Sequence, residues 1–222
     1  RSGSFAIALV GVLLSVAAFP IASAAQPAPV ATFSGVPPQA FIGEPLTFTV
    51  SFDNTSPAAT GYGPYIDLIL PATGADGAGP STDDGISFTG ATYLGVLVTS
   101  TVLTFDAAGH ATHPYARDAS GTPIVVNGTP GDQLVVLQLP FGSFTPDQPP
   151  VDVLVTTSLS NLADVSTPLT LQARGGFQYG ADALDNPATD PSIIGSFNNV
   201  QTTPTVLRLK KTYIGPEDET AT

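Results

Sequence analysis

The chain has 222 residues, with eighteen Asp and Glu against six Lys and Arg, a formal net charge of -12 and no cysteine. Such an acidic surface repels phosphate groups, so nucleic acid and anionic membranes are poor partners, whereas cations, basic surfaces and neutral glycans are not excluded. Without disulfides the fold must rest on a hydrophobic core, and residues 26–203 are numerous enough to supply one as a single domain.

The first predicted element is an apolar run over residues 4–26 that closes on small residues, Ala22-Ser23-Ala24. This pattern is typical of a secretory signal peptide with an A-x-A-like cleavage site, so we predict that residues 1–25 are a signal peptide and that the mature chain is secreted to the cell surface or the extracellular space. A retained membrane helix is the alternative. Pro20 and the lack of a basic flank argue against it, and no second long apolar run predicts membrane insertion of the mature chain.

The next residues contain short β-branched and aromatic runs separated by Gly, Pro, Asn and Asp, which is typical of strands and turns. We therefore predict an all-β protein whose strands pack as a β-sandwich, with a closed barrel as the alternative. The predicted strands are residues 46–52, 65–70, 86–89, 93–105, 124–126, 133–139, 151–159 and 169–177. Asn127-Gly128 predicts a tight hairpin turn between the fifth and sixth of these strands.

The stretch GEPLTFTVSFDNTS, residues 43–56, alternates apolar and polar residues and then ends in a polar cluster. Alternation with period two indicates a strand with one face on the core and one face in water. We interpret the polar end, residues 53–56, as short side chains that bond a turning backbone, not as a catalytic cluster. Residues 151–159 alternate less cleanly, which favours a strand buried on both faces.

This stretch and the following YIDLILP, residues 65–71, resemble the repeat domain of large bacterial and archaeal envelope proteins known as domain of unknown function eleven (DUF11-like). The resemblance covers about the first third of the mature body and rests on the following features: Gly43, Glu44, the strand from Leu46, Asn54, Thr55, Asp67, Leu70 and Pro71. It implies an elaborated Ig-like antiparallel sandwich in a tandem array, acting as a stalk, an adhesin or an envelope layer. No enzymatic activity is implied.

The end of the chain changes character, because residues 204–222 hold every lysine. We predict a linker around residues 201–204, a strand over residues 206–213, and hence a second, truncated β module over residues 204–222 that follows the sandwich domain of residues 26–203.

Two histidines, His110 and His113, lie near Asp106 and Asp118 and raise the question of a hydrolase triad or a metal pair. Neither a G-x-S-x-G elbow nor an H-E-x-x-H helix accompanies them. We therefore predict solvated loop or strand-end histidines and no catalytic residue.

Aspartate-rich loops are better candidates for a ligand site, because calcium takes several hard oxygen ligands from flexible loops. The predicted calcium ligands are Asp182, Asp185 and Asp190, with Asp76, Asp83 and Asp84 as a second group. Neither spacing matches an EF-hand, and turn chemistry also explains Asp before Gly or Pro. We predict no other cofactor.

Together these observations predict a non-catalytic extracellular structural module of a cell-surface repeat protein, as a fibre, stalk or surface-layer subunit. Its partners would be neighbouring copies or modules of the same protein, or other surface proteins. The alternative is an adhesin or carbohydrate-binding module, for which aromatic side chains on an exposed face would bind glycans. The available aromatic residues are Tyr62, Tyr65, Tyr93, Tyr115, Phe177 and Tyr179. A secreted hydrolase is a distant third.

Overall fold

The computed structural model describes residues 25–76, 83–185, 188–207 and 212. Within these ranges the chain forms strands and turns, and no helix there could cross a membrane. The predicted signal-peptide helix and most of the predicted second module, residues 208–222 apart from Thr212, lie outside the described residues.

Sixteen strands are formed by the described residues. The first eight are β1 (Pro29–Ser34), β2 (Gln39–Phe41), β3 (Pro45–Asn54), β4 (Gly61–Tyr62), β5 (Pro64–Leu70), β6 (Ile86–Tyr93), β7 (Val96–Leu97) and β8 (Thr99–Thr104). The others are β9 (His110–Arg117), β10 (Pro123–Asn127), β11 (Gln133–Gln138), β12 (Ser143–Phe144), β13 (Val151–Leu159), β14 (Leu169–Phe177), β15 (Ile193–Ile194) and β16 (Asn198–Thr205).

Two sheets pack face to face, which confirms the predicted all-β, Ig-like antiparallel sandwich. The five-stranded sheet has the order β1-β3-β13-β6-β7, and the seven-stranded sheet has the order β2-β16-β14-β5-β11-β8 with β15 paired to β14. Their pairings are antiparallel except for the parallel contact of β2 with β16. Two further two-stranded sheets are formed by the described residues, the hairpin β9–β10 and the pair β4–β12.

The main core lies between the two sheets. In β3 the alternation seen in the sequence places Leu46, Phe48, Val50 and Phe52 inside, each no more than 3% exposed. Phe52 makes edge-to-face contacts with Phe144 and Phe177, at centroid distances of 5.3 and 5.5 Å. Such contacts add to the free energy gained by burying apolar area.

A second, smaller core covers the outer face of the seven-stranded sheet. The hairpin β9–β10 packs on this face and encloses an apolar cluster that includes Phe105, Ala116, Val126 and Leu134. Strand β5 therefore has a core on both faces, and all seven of its residues are buried. The molecule consequently has three layers over this part of the sheet.

Several predicted elements differ from the structure. The expected strand over residues 93–105 is divided, because Leu94 and Gly95 form a tight turn, with positive φ at both residues, between β6 and β7. The expected hairpin at Asn127-Gly128 is wrong, since β10 pairs with β9, and both neighbours of β11 are other strands, β5 and β8. Strand β13 is not buried on both faces: its residues alternate between buried and exposed.

The predicted domain boundary also falls inside a strand. The expected linker around residues 201–204 forms part of β16, which continues to Thr205 and pairs with β14 and β2. The carbonyl oxygen of Pro204 accepts the backbone N–H of Ser166 at 2.9 Å, whereas the flanking Thr203 N–H and Thr205 carbonyl oxygen bond Pro38 and Ile42 on the β2 side. The missing N–H of Pro204 therefore points away from β2 and removes no bond from that pairing.

Candidate functional site

A buried charged cluster lies between the hairpin β9–β10 and the seven-stranded sheet. Asp67 on β5 and Arg174 on β14 are direct cross-strand neighbours, and the Arg174 Nε donates to Asp67 Oδ2 at 2.8 Å. On the other side, His113 Nε2 lies 2.9 Å from Asp67 Oδ1. The side chains of Asp67 and His113 are fully buried, so both bonds form away from water.

The hydrogen bonds fix the role of each imidazole nitrogen. His113 Nδ1 accepts the backbone N–H groups of Tyr115 and Ala116, at 3.1 and 2.7 Å, so Nε2 is the nitrogen that donates to Asp67. Both nitrogens are thus engaged, and neither is free to take a proton from a nucleophile. The prediction of solvated histidines is wrong for His113 and holds for His110, which is exposed.

Two aromatic residues complete this cluster. The Arg174 guanidinium stacks over the Phe197 ring at 4.4 Å, an arrangement that favours the cation. Tyr65 packs on His113 with ring centroids 4.9 Å apart. Burial, followed by the charge of Asp67, raises the pKa of the Tyr65 phenol, so it stays neutral. The cluster is therefore a clamp that holds the third layer onto the sheet.

The polar end of β3 has a structural role, as interpreted from the sequence. Asn54 is 2% exposed, and its Oδ1 accepts the backbone N–H of Ala28 at 2.9 Å. Its Nδ2 donates to the carbonyl oxygens of Ala59 and Phe144, at 2.9 and 3.1 Å. These bonds confirm that the side chain ties the turning backbone to neighbouring segments.

The predicted calcium ligands are not brought together. Asp182 Oδ2 accepts the backbone N–H of Thr189 at 2.6 Å and thereby stabilises its own loop, while Asp185 and Asp190 are exposed. Within residues 25–76, 83–185 and 188–207, no group of three His, Asp or Glu side chains is arranged to hold a metal ion. Calcium binding stays a prediction to which this geometry adds no support.

In the second acidic group, Asp84 stands apart because it is buried. It is 5% exposed, and its Oδ1 has no hydrogen-bond partner among the described residues. Burial, and then the charge of Asp76, raises the pKa of this carboxyl above its ordinary value. The fold therefore disfavours the charged form of Asp84 relative to an aspartate in water.

An apolar groove of about 590 Å³ opens where the β6–β8 segment meets the end of the hairpin β9–β10. Among the described residues, no charged side chain lines it. Its aromatic residues are Tyr65, Tyr93, Tyr115, Phe141 and Tyr179, and the amides of Gln138 and Gln178 add polar groups. Tyr93 and Phe141 meet edge to face at 5.4 Å, and the Tyr115 hydroxyl bonds Thr101 at 2.8 Å, so these walls are held in place.

The rim of the groove carries an exposed apolar tip, formed by Leu94, Val96 and Leu97, which are 84%, 69% and 78% exposed. Leu94 occupies the first position of the β6–β7 turn at φ 50°, where Asn, Asp or Gly is favoured. A leucine held there strains the backbone and gains no burial in return. With Val96 and Leu97, Leu94 thus forms an exposed apolar patch, which is a candidate contact surface.

Sequence reasoning identified four of the groove tyrosines as glycan-binding candidates but could not place them together. It missed the clamp and the tip. Asp67 and Arg174 are separated by 107 residues along the chain, and only the sheet order makes them neighbours. The one available signal was an aspartate in the middle of the apolar run YIDLIL, since a buried charge needs a partner.

No family model matches the chain, and no curated protein shows significant similarity to it. Among solved structures, AvmM, which catalyses macrocyclization in alchivemycin A biosynthesis, is 16% identical with a TM-score of 0.44, and the match covers 82% of this chain and 91% of that one. The sixth cohesin of scaffoldin B from Acetivibrio cellulolyticus is 11% identical with a TM-score of 0.38, covering 80% and 99%. The major pilin SpaD from Corynebacterium diphtheriae is 13% identical with a TM-score of 0.38, covering 81% and 34%. Likeness at this level carries no argument about function.

Proposed function

We propose that this domain is a non-catalytic structural module of a cell-surface repeat protein, and that it associates with neighbouring copies of itself in a fibre, stalk or surface layer. The signal peptide predicted for residues 1–25 and the resemblance to envelope repeats support the location. The observation that carries the associative role is the exposed apolar tip at Leu94, Val96 and Leu97.

Two further features support a structural role. The buried ionisable groups Asp67 and His113 bond each other, and their remaining bonds go to Arg174 and to the backbone N–H groups of Tyr115 and Ala116. The described residues that line the groove beside the tip include no charged side chain that could act as an acid or a base. The tip instead offers apolar side chains, whose removal from water drives association.

The experiment compares the full chain with a Leu94→Asn variant by sedimentation velocity over a range of concentrations. Asn tolerates positive φ, so the variant should fold with an equal or higher melting temperature and associate at least tenfold more weakly. Leu162→Asn is the matched control, since Leu162 is also exposed, at 57%, but does not line the groove. A chain that stays monomeric at every concentration would refute the proposal.

A second candidate function, glycan binding, is favoured by the aromatic walls of the groove. Stacking of sugar rings on tyrosine, with amides as hydrogen-bond partners, is the chemistry that this lining offers. A glycan array tests it with the full chain and a Tyr179→Ala variant. Tyr62→Ala is the control because Tyr62 does not line the groove. Binding that is lost in the first variant and kept in the second would support this function, and an array without signal would reject it.

A further inference from the structure

Strand β8 is an unprotected edge of the seven-stranded sheet. It pairs with β11 over six consecutive residues without a bulge, and no strand of the described ranges pairs with its other side. Its sequence, TSTVLT, has neither a charged residue nor a proline. Those are the features by which natural proteins normally block edge-to-edge pairing.

Several other sheet edges are blunted in ways that β8 is not. Strands β2, β7 and β15 have only three or two residues. Strand β10 begins with Pro123 and pairs irregularly with β9. The backbone of β1 is covered at Ala31, whose carbonyl oxygen accepts the Asn198 Nδ2 at 2.7 Å. Strand β8 is therefore an edge on which an added strand can form a ladder of backbone hydrogen bonds.

We propose that β8 binds residues 206–213 of a second copy of this chain as an added antiparallel strand. This inference rests on the proposed function, since it specifies how copies associate. The segment, VLRLKKTY, alternates so that Leu207 and Leu209 share one face, as a strand requires. In an antiparallel pairing that face can cover Val102, which is 45% exposed in the centre of β8.

Charge complementarity favours residues 206–213 as the segment that pairs with β8. It contains Arg208, Lys210 and Lys211, whereas the only basic residues in the acidic body, residues 26–203, are Arg117 and Arg174. Two β8 strands pairing with each other would bring two acidic bodies together, which like-charge repulsion opposes. A basic strand approaching an acidic body is attracted to it.

The geometry of the sheet indicates that the added strand comes from another copy. Strand β16 ends at Thr205, four strand positions away from β8 in the order β16-β14-β5-β11-β8. At a spacing of about 4.8 Å per strand the separation is about 19 Å, which takes about six extended residues to cross. Residues 206–213 of the same chain would then have only about two residues left to pair with β8.

Because the β8 edge and residues 206–213 are different parts of the chain, their contact between two copies is heterologous. Such a contact repeats from copy to copy and gives rings or open filaments, not a closed two-fold dimer. Because the pairing runs antiparallel, the segment leaves β8 at Thr99, where the apolar groove begins. The groove would then take the aromatic ring of Tyr213, without a charged group to exclude it.

The experiment uses two complementary variants of the full chain. Val102→Lys places a positive charge on the β8 edge, and the triple substitution Arg208→Glu, Lys210→Glu and Lys211→Glu reverses the charge of the segment. Val125→Lys is the matched control, since Val125 is 51% exposed on the already blunted β10. Sedimentation velocity and native mass spectrometry measure assembly, and circular dichroism verifies folding.

We expect each of the two variants to be monomeric on its own, with a dissociation constant at least tenfold higher than that of the natural chain. An equimolar mixture should form a one-to-one heterodimer, because one partner keeps the edge and the other keeps the segment. Val125→Lys should assemble normally, and raised salt should weaken all assembly.

The outcomes separate the two proposals. If the natural chain assembles and either variant assembles equally well, or if the mixture forms no heterodimer, the strand-addition inference is wrong and the structural role stands. If the natural chain does not assemble at all, the proposed function fails together with this inference.

Discussion

Asp67 is the residue whose environment explains most about the third layer of the fold. An unpaired carboxylate at this depth would be severely destabilising, and the structure avoids it with an arginine on one side and a histidine on the other. The two partners belong to different elements, so one buried charge joins the hairpin β9–β10 to strands β5 and β14.

His113→Ala removes one of these partners and leaves Asp67 with an unsatisfied oxygen. We expect the free energy of unfolding to fall by about 3 kcal/mol, since the lost bond is buried and charged. His110→Ala is the control on the same strand, and because His110 is exposed it should change stability by less than about 0.5 kcal/mol. Urea denaturation measures both variants, and equal effects would contradict the clamp.

Asp84→Asn should raise the melting temperature at neutral pH. Because burial raises the folded-state pKa of Asp84, its contribution to stability is lost as pH rises from the ordinary value of 3.8 through the folded pKa. The amide of the variant is neutral at every pH, so the variant does not lose this stability as pH rises. The substitution also removes the charge repulsion by Asp76, Asp164 and Asp83. Below the ordinary pKa both side chains are neutral, so the difference should vanish.

Calorimetry at pH 7 and at pH 3 measures this effect. Asp147→Asn is the control because Asp147 is exposed, and its melting temperature should follow that of the natural chain. A variant that melts below the natural chain at pH 7 would show that Asp84 has a partner that its carboxylate needs.

At the scale of elements, strand neighbours depend on sheet order and not on sequence proximity. Residues 124–126 and 133–139 look like the two arms of a hairpin because Asn-Gly lies between them. In the structure β11 lies between β5 and β8 in the seven-stranded sheet, and β10 turns back to β9. Gly128 is needed there for a different reason: a Cβ atom would lie 2.5 Å from the Phe105 ring.

A chain shortened to Thr203, the boundary predicted from the sequence, should be less stable than one shortened to Leu207. The shorter form loses the pairing of Pro204 and Thr205 with β2. It also loses the bonds from Ser166 N–H to Pro204 O and from Ile42 N–H to Thr205 O, at 2.9 and 3.1 Å. At about 1 kcal/mol per bond, the expected cost is about 2 kcal/mol, or a melting temperature lower by roughly 4–8 °C. Equal melting temperatures of the two shortened chains would instead support the domain boundary at Thr203 that the sequence predicts.

At the scale of the whole molecule, the scarcity of basic residues allows digestion with trypsin to test whether the folded body is rigid. Arg117 and Arg174, the only trypsin sites within residues 26–203, lie on β9 and β14. Proteolysis requires local unfolding, and the Arg174 side chain is only 14% exposed. The folded body should therefore resist trypsin, whereas the same digestion in urea should cut at both arginines. Mass spectrometry of the products identifies the cleaved bonds. Cleavage at Arg174 in the absence of urea would contradict the tight packing of β14.

The sequence by itself determined the fold class and the strands with clear period-two patterns. Strand β3 is predictable because Leu46, Phe48, Val50 and Phe52 alternate with polar residues, and local side-chain direction follows from the backbone alone. The acidic charge and the absence of disulfides are likewise properties of composition. These features need no knowledge of which strands meet.

Only the tertiary structure decided what the unusual residues do. The pairing of Asp67 with His113 and Arg174, the free edge of β8 and the gathering of distant tyrosines around one groove depend on strand order, which joins residues far apart in the chain. Strand order is selected by the summed packing of both cores, a non-local quantity that no short segment contains. For this reason local patterns predicted the strands, while the clamp and the candidate association surface appeared only when the sheets were assembled.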